Sequence, residues 1–276
     1  GGKTGSGGAN ATGGTSASGG TSATGGQGGT IATAGTSATG GSAGNTGLGG
    51  APAWAFDYSI WELQLPIGSG SSPTAISPGQ VVSFSDAYFY KAADGGQTFM
   101  DPATGTTTSG SKHCRTEMRE STSGGKEASW SASGTNTLTV TGKVLSVGGG
   151  GNGLVTVGQV FNSTDSIPLC ELRYSTAHAG FDLFYEEATG SPSETDLKTP
   201  IALNTTQYTF VLSLSNGVLA VTVGGKQVYM HQPSPGTLAK KFYFKFGNYD
   251  QNTSAGPTST TPYTIVEAYG AKVVHK

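Results

Sequence analysis

Arg115-Thr116-Glu117-Met118-Arg119 and Tyr243-Phe244-Lys245-Phe246-Gly247-Asn248-Tyr249-Asp250-Gln251 are the stretches whose reading decides how this chain folds. In a β-strand successive side chains point to opposite faces. On that rule His113, Arg115, Glu117 and Arg119 share one face, and Cys114, Thr116 and Met118 share the other. The downstream stretch divides likewise, with Tyr243, Lys245, Tyr249 and Gln251 against Phe242, Phe244 and Phe246. Two strands with an apolar back and a polar front predict one sheet that turns its charged surface to a ligand and its apolar surface to a core.

The sequence around them has the same texture. Phe56, Tyr58, Ile60, Trp61 and Leu63 open the folded part near Trp54, and Leu65-Pro66-Ile67-Gly68 closes that segment. Val81-Val82-Ser83-Phe84, Tyr88-Phe89-Tyr90 and Thr98-Phe99-Met100 follow as short apolar runs separated by Gly, Ser, Asp and Pro. Strands are expected over 113–120, 127–132, 136–146, 153–161, 169–175, 180–187, 207–214, 218–223, 226–231, 241–250 and 263–274. Asn216-Gly217 between two of them predicts a hairpin. No amphipathic helix longer than about three turns is legible. Many strands without helical partners imply an all-β chain, two packed antiparallel sheets in a jelly roll or similar sandwich.

Residues 1–50 are different in kind. They hold 20 glycines, one charge at Lys3, and Ile31 and Leu48 as almost their only large apolar side chains. Such a segment buries too little apolar area to offset its ordering entropy. Its repeats, such as Thr15-Ser16-Ala17-Ser18-Gly19-Gly20 and Thr21-Ser22-Ala23-Thr24-Gly25-Gly26, offer no face to stack, so a disordered Gly/Ser/Thr tether is expected, followed by one domain over 51–276. The net charge of -2 argues against a nucleic acid or anionic membrane as partner, since both call for a basic excess, so any basic site must be local. No run of 18 apolar residues exists, so no membrane-spanning helix is expected. A start at Gly1 without Met reads as a processed product, and the tether suits a monomer that is secreted or held at a cell surface. Cys114 and Cys170 read equally as one disulfide or as two buried thiols.

His113, His178, His231 and His275 lie far apart without ligand spacing, so neither metal nor cofactor is expected. Gly148-Gly149-Gly150-Gly151 precedes a strand and reads as a mobile loop, not a phosphate cradle. In Val157-Gly158-Gln159-Val160-Phe161, Gln159 and Phe161 share a face. Residues 115–119 alone could be a solvated strand whose opposite charges pair along one side. That reading suits 243–251 less well, because a chain only 12% charged has set Lys245 between two phenylalanines.

The three signatures Arg115–Arg119, Val157–Phe161 and Tyr243–Gln251, in this order, resemble those of alginate lyases of polysaccharide lyase family 7. Trp61-Glu62-Leu63-Gln64-Leu65-Pro66 and the Phe99-x-x-Pro102-x-x-Gly105 approach are similar too, so the resemblance covers about 54–276. It implies a β-jelly roll that cleaves an anionic uronate polysaccharide by β-elimination without a metal. Arg115, Gln159 and Tyr249 fall on the catalytic positions, and Glu117, Arg119, Lys245 and Gln251 on the groove lining. One departure stands out: Phe161 occupies a position that is usually histidine in the family.

The chemistry requires such residues. A uronate's C5 proton is hard to remove beside a carboxylate that is already negative, so Arg115 and Gln159 would stabilise the aci-carboxylate dianion as it develops. Tyr249 would serve as base and then as acid to the departing O4, with nearby Arg and Lys expected to lower its pKa from about 10. In mannuronate and glucuronate the C5 proton and O4 lie on one side, within reach of one tyrosine; in guluronate they do not, and Phe161 cannot supply the second base. The expectation is therefore mannuronate-containing alginate, with β-linked glucuronan as the alternative polymer and a non-catalytic polyuronate-binding module as the alternative class. His113, on the face of Arg115, is the residue that could bring an imidazole into the groove instead. Loops 146–153 and 188–200 would decide between internal and chain-end cleavage. If residues 1–50 are a tether, a chain starting near Gly50 keeps the melting temperature and activity of the whole; a loss of many degrees would show that the segment packs on the domain.

Overall fold

Strands dominate the computed structural model, which describes residues 56–149 and 153–276; the expected tether, Trp54 and part of the Gly148–Gly151 loop lie outside the described residues. In chain order the strands are β1 (Trp61–Ser69), β2 (Ser72–Ile76), β3 (Phe89–Lys91), β4 (Gln97–Pro102), β5 (Thr104–Gly105) and β6 (Thr116–Glu120). Then come β7 (Trp130–Ser131), β8 (Asn136–Ser146), β9 (Leu154–Asn162), β10 (Ile167–Ser175), β11 (Gly180–Tyr185) and β12 (Ser193–Pro200). The rest are β13 (Tyr208–Ser215), β14 (Val218–Val223), β15 (Lys226–His231), β16 (Lys241–Asp250), β17 (Ser254–Ala255) and β18 (Pro262–His275), with a short helix α1 (Pro235–Leu238) before β16.

These strands make the two antiparallel sheets of a jelly-roll sandwich. The nine-stranded sheet runs β12-β11-β10-β9-β16-β6-β1-β2, with β7 beside β16, and the seven-stranded sheet runs β15-β14-β13-β8-β18-β4-β3. The small β5–β17 pair is parallel. Strands distant in sequence thus become neighbours: β16 lies between β6 and β9, which brings the three signature stretches side by side. Between β13 and β14, Asn216 and Gly217 both take positive φ, 49° and 76°, as a two-residue type I′ hairpin turn requires.

Phe242, Phe244 and Phe246 of β16 are fully buried in the interior, with Met118 of β6, Val160 of β9, and Phe210 and Leu212 of the opposite sheet. The sheets approach closely at Gly158, where a β-carbon would stand 2.7 Å from the Phe210 ring. Among the described residues no helix is long and apolar enough to cross a membrane.

The expected strand bounds need correction in places. Strand β6 begins at Thr116, leaving His113, Cys114 and Arg115 in the approach to it, and the expected 127–132 strand shrinks to Trp130–Ser131. Val81–Ser83 is a 3₁₀ turn. The stretch read as a 188–200 loop contains β12, an edge strand whose mostly polar and exposed residues carry no apolar alternation to betray it. Both cysteines are free and buried. Three strand spacings separate β10, which holds Cys170, from β6, which Cys114 approaches. At about 4.8 Å each, that gap is roughly double the ~7 Å a disulfide can span, so the bridged alternative is dropped. Burial pushes both thiols up to about 12. Alkylation of the denatured, unreduced protein should therefore label both cysteines, whereas a linked Cys114–Cys170 peptide pair would contradict this arrangement.

Candidate active site

Register brings the functional side chains together. Lys245 stands opposite Arg119 on one side and Gln159 on the other, and Glu171 of β10 stands opposite Gln159. Gly247 pairs with Glu117 at φ 135°, where a β-carbon would lie 2.8 Å from the Thr116 carbonyl, so a side chain there is excluded. Gly247 and Asn248 together face Val157 in a β-bulge, after which Tyr249 is opposite Thr156. The result is an open cleft of about 420 Å³ on the polar face, lined by Arg115, Arg119, Gln159, Phe161, Lys245 and Tyr249 together with Gln64, Glu127, Glu171, Tyr243 and the 108–111 loop.

Glu117 is the hub of this face. It is fully buried and takes a hydrogen bond from Arg115 Nη1 at 3.2 Å and another from Gln159 Nε2, with Lys245 Nζ at 3.9 Å. Arg115, Gln159 and Lys245 are themselves buried. A solvated strand with surface ion pairs is not what residues 115–119 form. Lys245 Nζ also lies 3.8 Å from the centroid of the Phe161 ring. Burial, then Arg115 and Arg119, lower its pKa to about 7 against the opposing pull of Glu117. Arg119 is held by Glu62 and Glu127 and donates to Tyr243 Oη at 3.2 Å.

The Arg115 guanidinium lies over the Tyr249 ring, 3.9 Å from its centroid. Tyr249 Oη meets Ser111 Oγ at 2.9 Å. The expected lowering of the Tyr249 pKa is not found. Burial raises it, Glu171 and Glu117 add to the rise, and Arg115 and the Ser111 hydrogen bond oppose it without prevailing. Charge proximity was legible in the sequence, but the desolvation of a phenol between β6 and β9 was not.

Three sequence candidates stand outside the cleft lining: Glu117, expected on the groove surface, is fully buried behind Arg115, Gln159 and Lys245, and His113 and Gln251 lie to one side. The His113 ring lies beside Tyr249, with centroids 6.2 Å apart, and its Nδ1 is engaged by the Thr253 carbonyl. Gln251 Nε2 donates to Thr156 Oγ1 and to the Tyr249 carbonyl, each at 3.2 Å, and so braces the end of β16. Phe161 does line the cleft, packed against Tyr243 with ring centroids 5.2 Å apart.

Sequence reasoning passed over Ser111, Glu171, Gln64 and Glu127 as lining residues. Glu171 and Arg173 alternate with buried Leu172 and Tyr174, a period-two signal that could have placed Glu171 on the polar face. Ser111 sits in a loop that carries no such signal. Among the described residues one His/Asp/Asp group, His178, Asp182 and Asp196, has ligand-type atoms within 4.8 Å of one another. Lys198 Nζ already occupies Asp196, and the group does not line the cleft.

A jelly roll that gathers arginine, glutamine and tyrosine in an open polar cleft of one sheet is a polysaccharide lyase in layout. The sequence profile of the alginate lyase family matches residues 56–275, and the chain belongs to that family. Among solved structures it is similar to alginate lyase A1-II′, a member of polysaccharide lyase family 7. The identity is 30% and the TM-score 0.69, over 80% of this chain and 96% of that one. An alginate lyase from Pseudomonas aeruginosa matches at 26% identity and TM-score 0.69, over 80% of this chain and 100% of that one. A substituted form of A1-II′ solved in complex with the substrate GGMG matches at 29% and 0.69, covering 82% and 97%. No curated protein sequence matches the chain significantly.

The Lys245 site has a consequence for stability. Folded, its amine titrates near 7; unfolded, near 10.4. Between those values the unfolded chain binds the proton and the folded chain does not, so stability from this group grows as pH rises through the window and is lost as pH falls through about 7. Urea denaturation at several pH values should show wild type gaining on Lys245→Met from pH 7 upward, and equal pH slopes for the two would refute the assignment.

Proposed function

We propose that this chain cleaves mannuronate-containing alginate by β-elimination, with Arg115 and Gln159 on the uronate carboxylate and Tyr249 as base and then acid. The observation that carries this reading is the convergence of those three side chains on one cleft, two of them already donating to a common carboxylate, that of Glu117. Donors so arranged can meet a second carboxylate presented by a sugar. As the C5–H bond breaks, its electrons move onto the carboxylate and two added donors stabilise the dianion; each well-aimed donor of this kind is worth about 3–4 kcal/mol. The electrons then form the C4–C5 double bond as the C4–O4 bond breaks. The proton taken from C5 by the Tyr249 phenolate passes to O4, leaving the phenolate for the next cycle.

Because the Tyr249 pKa is raised, the phenol form predominates at neutral pH. Turnover is therefore expected to climb into the alkaline range. One tyrosine suffices where the C5 proton and O4 share a side of the sugar, as in mannuronate and glucuronate. At the position where the family usually carries histidine, Phe161 presents an apolar ring to Tyr243 and Lys245 and accepts no proton. Guluronate, with C5 inverted, is accordingly the disfavoured unit. A polymer of this size is met outside the cell, and residues 1–50 would serve to hold the domain there.

The test compares initial rates of formation of the ultraviolet-absorbing unsaturated uronate on pure mannuronan, guluronan and glucuronan. Mannuronan is expected to lead, and Tyr249→Phe to lower turnover by ~10²–10⁴-fold with the fold intact. Glucuronan in first place would transfer the reading to that polymer, and guluronan in first place would overturn the stereochemical argument. Binding without any absorbing product would make the domain a non-catalytic module.

A further inference from the structure

Ser111 Oγ has three polar contacts: the His113 carbonyl at 2.8 Å, the His113 backbone nitrogen at 3.2 Å and Tyr249 Oη at 2.9 Å. A serine hydroxyl carries one hydrogen and two lone pairs. A carbonyl can only accept, so the Ser111 hydrogen goes to His113 O; an amide N–H can only donate, so it takes one lone pair. The remaining lone pair faces Tyr249, which must be the donor. The neutral phenol therefore points its hydrogen at Ser111, in the 108–111 loop, and turns its own lone pairs elsewhere.

We propose that Ser111 is a positioning residue for Tyr249, which receives the phenol's hydrogen in the resting enzyme and turns its own hydroxyl hydrogen onto Oη once the phenol has ionised. The proposal rests on the reading of Tyr249 as the base. The switch requires only rotation about the Ser111 Cβ–Oγ bond, away from a carbonyl that loses one hydrogen bond. The phenolic proton leaves to water through the cleft that Ser111 lines.

The loop is anchored for this task. Ser111 N donates to Thr108 O at 3.0 Å, His113 is tied to Thr253 O, and Cys114 N donates to Thr253 Oγ1 at 3.1 Å. The other groups around Tyr249 are Arg115 and Glu117 from β6 and its approach, His113 from the same approach, Glu171 from β10 and the neutral Thr156 from β9. Glu117 and Glu171 disfavour the phenolate, and Arg115 and Ser111 favour it. A bound uronate carboxylate draws on the charge of Arg115. The contact at Ser111 is then the direct hydrogen bond that still supports the phenolate in the complex.

Replacing the hydroxyl should show in the pH profile before it shows in affinity. In Ser111→Ala the ascending limb of kcat against pH is expected to move up by about half to one unit, because the hydrogen bond to the phenolate is partly offset by the phenol and carbonyl bonds it replaces. Turnover at neutral pH then falls about three- to tenfold, KM stays unchanged, and Ser111→Thr, which keeps the hydroxyl, restores the profile. A lower kcat with the limb unmoved, or no change at all, would overturn the proposal. Ultraviolet difference titration of the Tyr249 phenolate, referenced to Tyr249→Phe, reads the same contact without substrate. It should move up in Ser111→Ala, and an unmoved titration would reject the contact. Should Tyr249→Phe retain the wild-type rate, the reading of Tyr249 as base fails, and this titration still judges the Ser111 contact by itself.

Discussion

The carboxylate of Glu117 has no exposure to solvent, yet it sits at the centre of a face that carries Arg115, Gln159 and Lys245. An isolated buried charge costs several kcal/mol, so Glu117 can persist there only because cations and amide hydrogens surround it. The dependence runs both ways. Three basic groups, Arg115, Arg119 and Lys245, are packed into one cleft lining, and Glu117, Glu62 and Glu127 keep that concentration of positive charge tolerable. The face thereby gathers cationic and amide donors around one buried carboxylate.

Backbone geometry sets the stage for this network. Glycine at 247 lets β16 pass the Thr116 carbonyl where a side chain would collide, and the bulge at Gly247 and Asn248 aligns Tyr249 with Thr156. On the reverse side Phe242, Phe244 and Phe246 fill the interior between the sheets. One strand thus supplies the core and the cleft at once, and its pitch of two residues ties the position of Lys245 to that of its phenylalanine neighbours.

Burial shifts two titrating groups of the cleft in opposite directions. The ammonium of Lys245 becomes easier to deprotonate and the phenol of Tyr249 harder, because in each case the neutral form is favoured away from water. Arg115 and Ser111 are the counterweights at Tyr249, one acting through charge and the other through a hydrogen bond. The aromatic wall of Phe161 and Tyr243 contributes to the same dryness around Lys245.

Alternation alone was enough to read the two-sheet architecture, the apolar and polar faces of β16, and the grouping of Arg115 with Glu117, because a strand's side-chain period is a local property of the chain. The same logic delivered the β13–β14 hairpin, since Asn216-Gly217 has few other uses. Local pattern could not reveal β12, whose edge position lets it be polar, nor the separation of Cys114 from Cys170, which depends on strand order. Nor could it show that Glu117 and Lys245 are dry, that the Tyr249 phenol is raised, or that Ser111 reaches Tyr249 Oη from 138 positions away. Strand order, burial and contacts between distant loops are set by how the sheets close on one another, and desolvation is a property of that closure that no single stretch of sequence carries.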